Sequence, residues 1–309
     1  MQVEPDGRPG LNAGHRVVFV TGKGGVGKSS VAAATALQFA RRGQSVLLAE
    51  FGNRSFYGPF LGLNVGNDSV RWKPRIEVAC WDVEESLREY VTHYLVFKSA
   101  ANKILSNTVM KALAGAAPSL SEIAILGKLM APMLHTWYKR TVDVVVVDAY
   151  ATGQFMTLLR APRGLSATAA GGPLHRQTQA ITRLLSDPKV CEYRMVTLAE
   201  EMPVSEACEM FADIESETGL QPSLYCNRML DLPPVPSGQG FVNAGTFLDQ
   251  LQSIKTRQEA SMTRLQQTGA TQVYTLPMLP ILAVDAMLER LADALDLAQS
   301  AQTGPGGAA

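Results

Sequence analysis

The stretch Phe19–Ser30 reads FVTGKGGVGKSS, and its reading decides the fold. It is preceded by the apolar run Val17-Val18-Phe19-Val20, the pattern of a buried strand. From Ser29 to Arg41 the chain reads as a helix, with Val31, Ala34, Leu37 and Phe39 among its apolar residues. Gly22, Gly24, Gly25 and Gly27 therefore fall at a strand-to-helix turn, where the absence of Cβ atoms lets successive N–H groups converge on phosphate oxygens. Lys28 is placed to reach the β- and γ-phosphates, and the Ser29 hydroxyl to ligate Mg²⁺. Val26 and Ser30 complete the loop. A glycine-rich turn without a ligand is the competing reading. The Gly-Lys-Ser triplet in strand–helix context sets nucleotide binding ahead of it. Lys23 is a second lysine in the same loop, and the residues alone allow a solvated side chain there.

With 309 residues the chain is long enough to bury a sizeable core as one large α/β domain or two smaller ones. Lys+Arg and Asp+Glu are equal at 28 each, which argues against an electrostatic nucleic-acid footprint. No apolar run reaches the roughly eighteen residues of a membrane span. The start, MQVEPDGRPGLNAGH, lacks the build of a signal peptide. The expectation is a cytoplasmic protein with no stable membrane insertion and no nucleic-acid partner. Cys80, Cys191, Cys208 and Cys226 include no C-x-x-C pair, so neither zinc nor a disulfide framework is expected.

Further strand-like runs follow at Ser45–Glu50, Asp143–Asp148, Tyr193–Ala199, Pro222–Asn227 and Gln272–Pro277, separated by helical stretches. Continuous apolar strands between helices predict an α/β P-loop NTPase fold with a mainly parallel sheet flanked by helices. About 82–140 reads as a helical insert, the ATPase domain as 15–299, and 1–14 and 300–309 as flexible tails. In DVVVVDAYATGQ a valine strand ends on Asp148, the carboxylate expected on the magnesium side of the site. An aspartate capping the next helix is the alternative.

Lys23 and Lys28 in GKGGVGKSS match the deviant phosphate loop of the class that includes the MinD/ParA positioning ATPases and the nitrogenase iron protein. Within that class the chain resembles the ArsA-like ATPases, the arsenite-pump and tail-anchored-protein-targeting enzymes. VDAYATGQFMTLLRAP, TLAEEMPVSEA, PSLYCNRM and TLPMLP are each similar to a landmark of that family. The resemblance implies that Asn227 recognises adenine and that the loop Pro277 to Pro280 packs around the base. It also implies a homodimer in which Lys23 reaches the phosphates of the facing subunit's nucleotide as charge develops there.

Three departures qualify what the resemblance implies. Where the family carries a water-positioning aspartate, ungapped alignment puts Gly52, and Glu50 lies two residues earlier as the candidate surrogate. Gln154 replaces a histidine in the switch after Asp148. The arsenite-binding cysteines and the zinc C-x-x-C are missing, so arsenite transport and a zinc-stapled dimer are not expected. In the insert, Ile123, Leu126, Met130 and Met133, with Val109, Met110 and Leu113, have helical spacing. Plain core is the leading reading there, and a groove for a hydrophobic-helix client the rival. His175 reads as structural.

The function expected is an ArsA-like, Mg-ATP-dependent dimeric switch, hydrolysing ATP to ADP slowly and coupled to a protein partner. The alternative is a catalytically weak nucleotide-binding scaffold. A MinD-type positioning ATPase is disfavoured by Asp285, Glu289, Asp293 and Asp296 on the last helix, which anionic lipid would repel.

Overall fold

The computed structural model describes residues 15–94, 118–131, 142–168, 171–232, 244–280 and 282–302. Eight strands form one sheet: β1 (Arg16–Gly22), β2 (Val46–Phe51), β3 (Val70–Lys73), β4 (Ile76–Trp81), β5 (Val144–Asp148), β6 (Cys191–Leu198), β7 (Ser223–Met229) and β8 (Val273–Pro277). Their order is β3-β4-β2-β5-β1-β6-β7-β8, parallel throughout except for the edge strand β3. β1, from Val17 to Val20, is fully buried because both faces of a parallel sheet are covered, which is why it reads as an unbroken apolar run. β1 lies between β5 and β6, so the chain leaves it at the point where strand order reverses, the customary ligand crevice of such sheets.

Helix α1 (Lys28–Arg41) follows β1 directly, and every residue from Val31 to Phe39 is buried. Its alanines at 32, 33, 34 and 36 let it approach the sheet closely on one side and the last helix on the other. In chain order the other helices are α2 (Tyr57–Leu61), α3 (Val83–Tyr94), α4 (Pro118–Met130), α5 (Thr152–Thr168), α6 (Gly172–Leu185), α7 (Glu201–Thr218), α8 (Ala244–Gln266) and α9 (Val284–Gln302). α9 packs on α1, and its acidic residues meet basic partners: Arg41 pairs with Glu289 and Asp293, Arg42 with Asp296, and Lys73 with Asp285.

Two features depart from the sequence expectation. β3 and β4 form a hairpin whose strands were not read from the sequence, and α9 runs to Gln302, so residues 300–302 are helical rather than tail. Within the insert, α4 packs against α3, α5 and α6, and Ile123, Leu126 and Met130 are fully buried in the same core as β1 and β5. These three side chains are core. Val109, Met110, Leu113 and Met133 lie outside the described residues, as does the tail 1–14. Cys80, Cys191 and Cys226 are buried free thiols, and Cys208 is half-buried. His175 stands between Ser166 of α5 and Gln179 of α6, a tie between two helices.

Candidate functional site

At the C-terminal end of β1 the main chain turns through Gly22 (φ 141), Gly25 (φ 84) and Gly27 (φ 96) before α1 begins at Lys28. Gly22 shows why a side chain is excluded: a Cβ there would sit 2.0 Å from the Val196 carbonyl oxygen of β6. The loop therefore presses on the sheet at its base and leaves its other face to a ligand. Gly24, Gly25 and Lys23 stand on that open side, while Val26 is buried and anchors the loop in the core.

Lys28 is half-buried, and its Nζ donates a hydrogen bond to the Lys23 carbonyl at 3.0 Å, across the mouth of the loop. Burial pulls its pKa down, and the charge of Asp148 partly offsets that. Asp148 ends β5, and in register it lies between Val20 of β1 and Glu50 of β2. Burial pushes its carboxyl up to about 6, against the opposing effects of the Ser29 hydroxyl, Lys28 and Tyr57. Lys28, Ser29 and Asp148 thus share one corner. Among the described residues no cluster of three metal-ligating side chains occurs. A magnesium ion bound with phosphates does not need one, since it commonly takes one or two protein oxygens, substrate oxygens and water. The residues present fit Mg-nucleotide: an open glycine loop leading into a helix N-terminus, one ammonium, one hydroxyl and one buried carboxylate.

Tyr57 was not singled out from the sequence. It is fully buried, and its hydroxyl lies 2.9 Å from the Ser29 carbonyl and 3.2 Å from Asp148 Oδ2. Burial, Asp148 and Glu50 raise its pKa well above the usual tyrosine value, so it stays a hydrogen-bond donor. Glu50 is also buried, and its carboxylate is occupied: it accepts from the Ser55 hydroxyl, from the Phe56 amide at 2.9 Å and from the Tyr57 amide at 3.4 Å. It organises the approach to α2. Gly52 has φ 149, its N–H donates to the Trp81 carbonyl at 3.1 Å, and its own carbonyl accepts from the Cys80 thiol. A side chain at position 52 would be strained in this conformation. Gln154 is exposed in the first turn of α5.

Asn227 on β7 is nearly buried, and its Nδ2 donates to the Val26 carbonyl at 2.9 Å while its Oδ1 accepts from the Arg228 amide. Pro277 closes β8, the following Met278 amide bonds to the Met229 carbonyl at 2.8 Å, and Pro280 is exposed, so this loop lies next to the end of β7. Lys23 pairs with Glu206 of α7 at 2.5 Å, both side chains about one third exposed at 37% and 32%. Glu206, like Ser55, carries no motif signature; its only sequence clue is its place in TLAEEMPVSEA.

A strand-to-helix phosphate loop, a carboxylate on the neighbouring strand and a buried asparagine braced on the loop define a nucleotide-binding site of the P-loop type. The model of the anion-transporting ATPase family, ArsA ATPase, matches residues 15–170, and the chain belongs to that family. Among its relatives, the ATPase BagA of Mycobacterium tuberculosis is 28% identical over 218 residues, covering 67% of this chain and 63% of BagA. An arsenical pump-driving ATPase of Escherichia coli is 29% identical over 260 residues, covering 81% of this chain and 41% of that protein. A putative arsenical pump-driving ATPase of Halobacterium salinarum is 26% identical over 232 residues. The chain therefore spans less than two thirds of these relatives' lengths.

Proposed function

We propose that this protein binds Mg-ATP at the loop Gly22–Ser30 and hydrolyses it slowly, as a dimeric switch whose nucleotide state is read by a protein partner. The observation that carries the reading is the shared corner of Lys28, Ser29 and Asp148 under the loop, with α2 tied to it through Tyr57. When bound, the magnesium ion supplies charge neutralisation on the phosphates. Ser29 and Asp148 would hold it directly or through water, Lys28 would leave the Lys23 carbonyl for the phosphates, and Asn227 would take the base.

Slow turnover is supported by the two residues aligned with the family's water-positioning switch. Gly52 has no side chain, and both carboxylate oxygens of Glu50 are already engaged by donors of Ser55, Phe56 and Tyr57. That same observation favours a second reading, a nucleotide-responsive scaffold with negligible hydrolysis. Output would leave through α2, because Tyr57 touches the metal-side carboxylate while its neighbour Phe56 is 46% exposed. The homodimer rests on Lys23: in the single chain it is paired with Glu206 beside the loop, free to exchange that partner for a phosphate across an interface. The buried state of Ile123, Leu126 and Met130 gives no support to a client groove along α4.

Steady-state phosphate release and calorimetric ATP binding test the proposal together. Wild type should bind Mg-ATP and release phosphate slowly, and Lys28→Ala should lose binding severely. Unchanged affinity in Lys28→Ala defeats the site, whereas binding without any turnover selects the scaffold reading.

A further inference from the structure

Between Asp148 and Asp187 the chain contains no Asp or Glu, while Arg160, Arg163, Arg176 and Arg183 all fall within that stretch. It folds into α5 and α6, which pack against each other. The two helices therefore form a cationic unit in a chain whose formal charges sum to zero. Along their seam lies a groove of about 480 Å³, lined by Arg163, Ser166 and Ala167 of α5 and by Gln179, Thr182 and Arg183 of α6.

The four arginines differ in how they are compensated. Arg160 and Arg163, both about half exposed, lean toward α7: Arg160 pairs with Asp213 at 3.4 Å and Arg163 with Glu217 at 3.2 Å. Arg176 and Arg183 are exposed, and neither makes an ion pair or a side-chain hydrogen bond among the described residues. With Gln179 between them, also exposed, they lie on one face of α6. Seven residues of helix set the two about 10 Å apart along the axis, a distance that three residues of extended chain span. The walls of the groove are tied together by His175, which stands 3.2 Å from Ser166 Oγ on α5 and 2.9 Å from Gln179 Nε2 on α6.

A single exposed arginine is ordinary on a protein surface and needs no partner. Here the charge accumulates without counter-charge: neither helix carries an acid, and the acidic neighbour α7 neutralises only the α5 side, through Asp213 and Glu217. Charge of one sign beside a concave seam focuses the field outward. No exposed large apolar side chain stands on α5 or α6 among the described residues, so the face has nothing to hold an apolar helix or the bilayer interior. Guanidinium groups pair bidentately with carboxylates and are weakly hydrated, which suits them to a polar interface. A concave seam accepts a chain, whereas a lipid surface meets a flat or convex face.

We propose that the α5–α6 groove is the docking surface for an acidic, extended segment of a protein partner, its carboxylates held by Arg163, Arg176 and Arg183. The assignment rests on the partner-coupled switch proposed above and gives it a site. α5 begins four residues after Asp148, and the connecting segment is pinned to β1, where the Thr21 hydroxyl donates to the Tyr150 carbonyl at 3.0 Å. The groove thus stands on the helix that leaves the nucleotide site.

The test titrates the full chain into a fluorescein-labelled decaglutamate peptide at low salt, followed by fluorescence anisotropy, once with Mg-ADP and once with a non-hydrolysable Mg-ATP analogue. A Gln-Ser peptide of equal length and phosphatidylserine vesicles are the comparisons. Decaglutamate should bind saturably in at least one nucleotide state, more tightly than the neutral peptide, and lose affinity as salt rises. The double variant Arg176→Glu/Arg183→Glu should bind at least about tenfold more weakly, since two attractions become repulsions. Both side chains are exposed and unpaired among the described residues, so the fold should survive the change. Lys255→Glu/Arg257→Glu on α8 alters the net charge equally and should leave the affinity unchanged. No decaglutamate binding in either state overturns the proposal, as does an equal loss in both double variants or binding to the vesicles alone. Equal affinity with Mg-ADP and the analogue supports the groove and refutes the nucleotide-coupled switch.

Discussion

Replacing Glu206 by glutamine removes the charge that holds Lys23 in the single chain while leaving a side chain of the same size. If Lys23 must leave Glu206 to reach a phosphate across a dimer interface, two identical ion pairs are broken for every dimer formed. Each pair is short at 2.5 Å, but its side chains are 37% and 32% exposed, so water screens it and its contribution is discounted to about 0.2–1 kcal/mol. Breaking two costs about 0.4–2 kcal/mol. Removing that cost should tighten nucleotide-dependent dimerisation about 2-fold to about 30-fold. The assay is sedimentation velocity over a concentration series with a non-hydrolysable Mg-ATP analogue, for wild type, Glu206→Gln and Lys23→Ala. Glu206→Gln should dimerise at lower concentration, with the gain shrinking at high salt, and Lys23→Ala should bind the analogue yet fail to dimerise. A Glu206→Gln protein that dimerises no better than wild type, or a chain that stays monomeric with every nucleotide, would refute the exchange of partners and leave Lys23 a surface ion-pair residue.

Three other substitutions probe different joints. Gly52→Asp restores the carboxylate that alignment suggests is missing, yet φ 149 makes a side chain there cost about 1–3 kcal/mol; turnover should stay at or below the wild-type level with a lowered melting temperature, and faster phosphate release at unchanged melting would show that the switch rotates freely. Gly22→Ala should weaken Mg-ATP binding strongly in calorimetry, since its Cβ would meet the Val196 carbonyl at 2.0 Å, and normal affinity would mean that β1 and β6 part easily. Glu192→Gln leaves the buried Arg194 charge uncompensated and should cost about 3 kcal/mol in urea unfolding. Burial alone would raise the Glu192 carboxyl, but Arg194 and Arg16 hold it below the usual range. Its stabilisation is therefore complete above the unfolded value of about 4.3 and lost as pH falls through the lower folded value. Wild type and Glu192→Gln should converge in stability at acid pH; a constant gap would contradict the assignment.

The central strands and the phosphate loop were legible because they depend on local chemistry. Val17–Val20 and Val144–Val147 are unbroken apolar runs, and the loop must use glycine where Val196 approaches. β4 was not legible. Its residues, IEVACW, are short and mixed, and what makes them a strand is parallel pairing with β2, a contact no local pattern announces. β3 exists as its edge partner, joined to it through Arg75 in a left-handed conformation (φ 68) that the sequence does not signal with glycine. At the site, Lys28, Ser29 and Asp148 could be named because phosphate and magnesium chemistry restricts which residue types serve. Tyr57 and Glu206 could not, since they act by reaching across 28 and 183 residues of chain to Ser29 and Lys23. Glu50 was found by position, but the three donors around its carboxylate became visible only in three dimensions.

The bond from Asn227 to the Val26 carbonyl gives one residue two duties. Besides its proposed contact with the base, its amide nitrogen lies 2.4 Å from where a Cβ on Gly27 would stand, so it braces the glycine loop. A base that misfits at Asn227 would then disturb the amides gripping the other end of the same molecule. If Asn227 takes the base as proposed, discrimination and grip become a single quantity: a guanine nucleotide would be penalised twice, and a variant at position 227 that relaxes the choice of base would also loosen the hold on ATP.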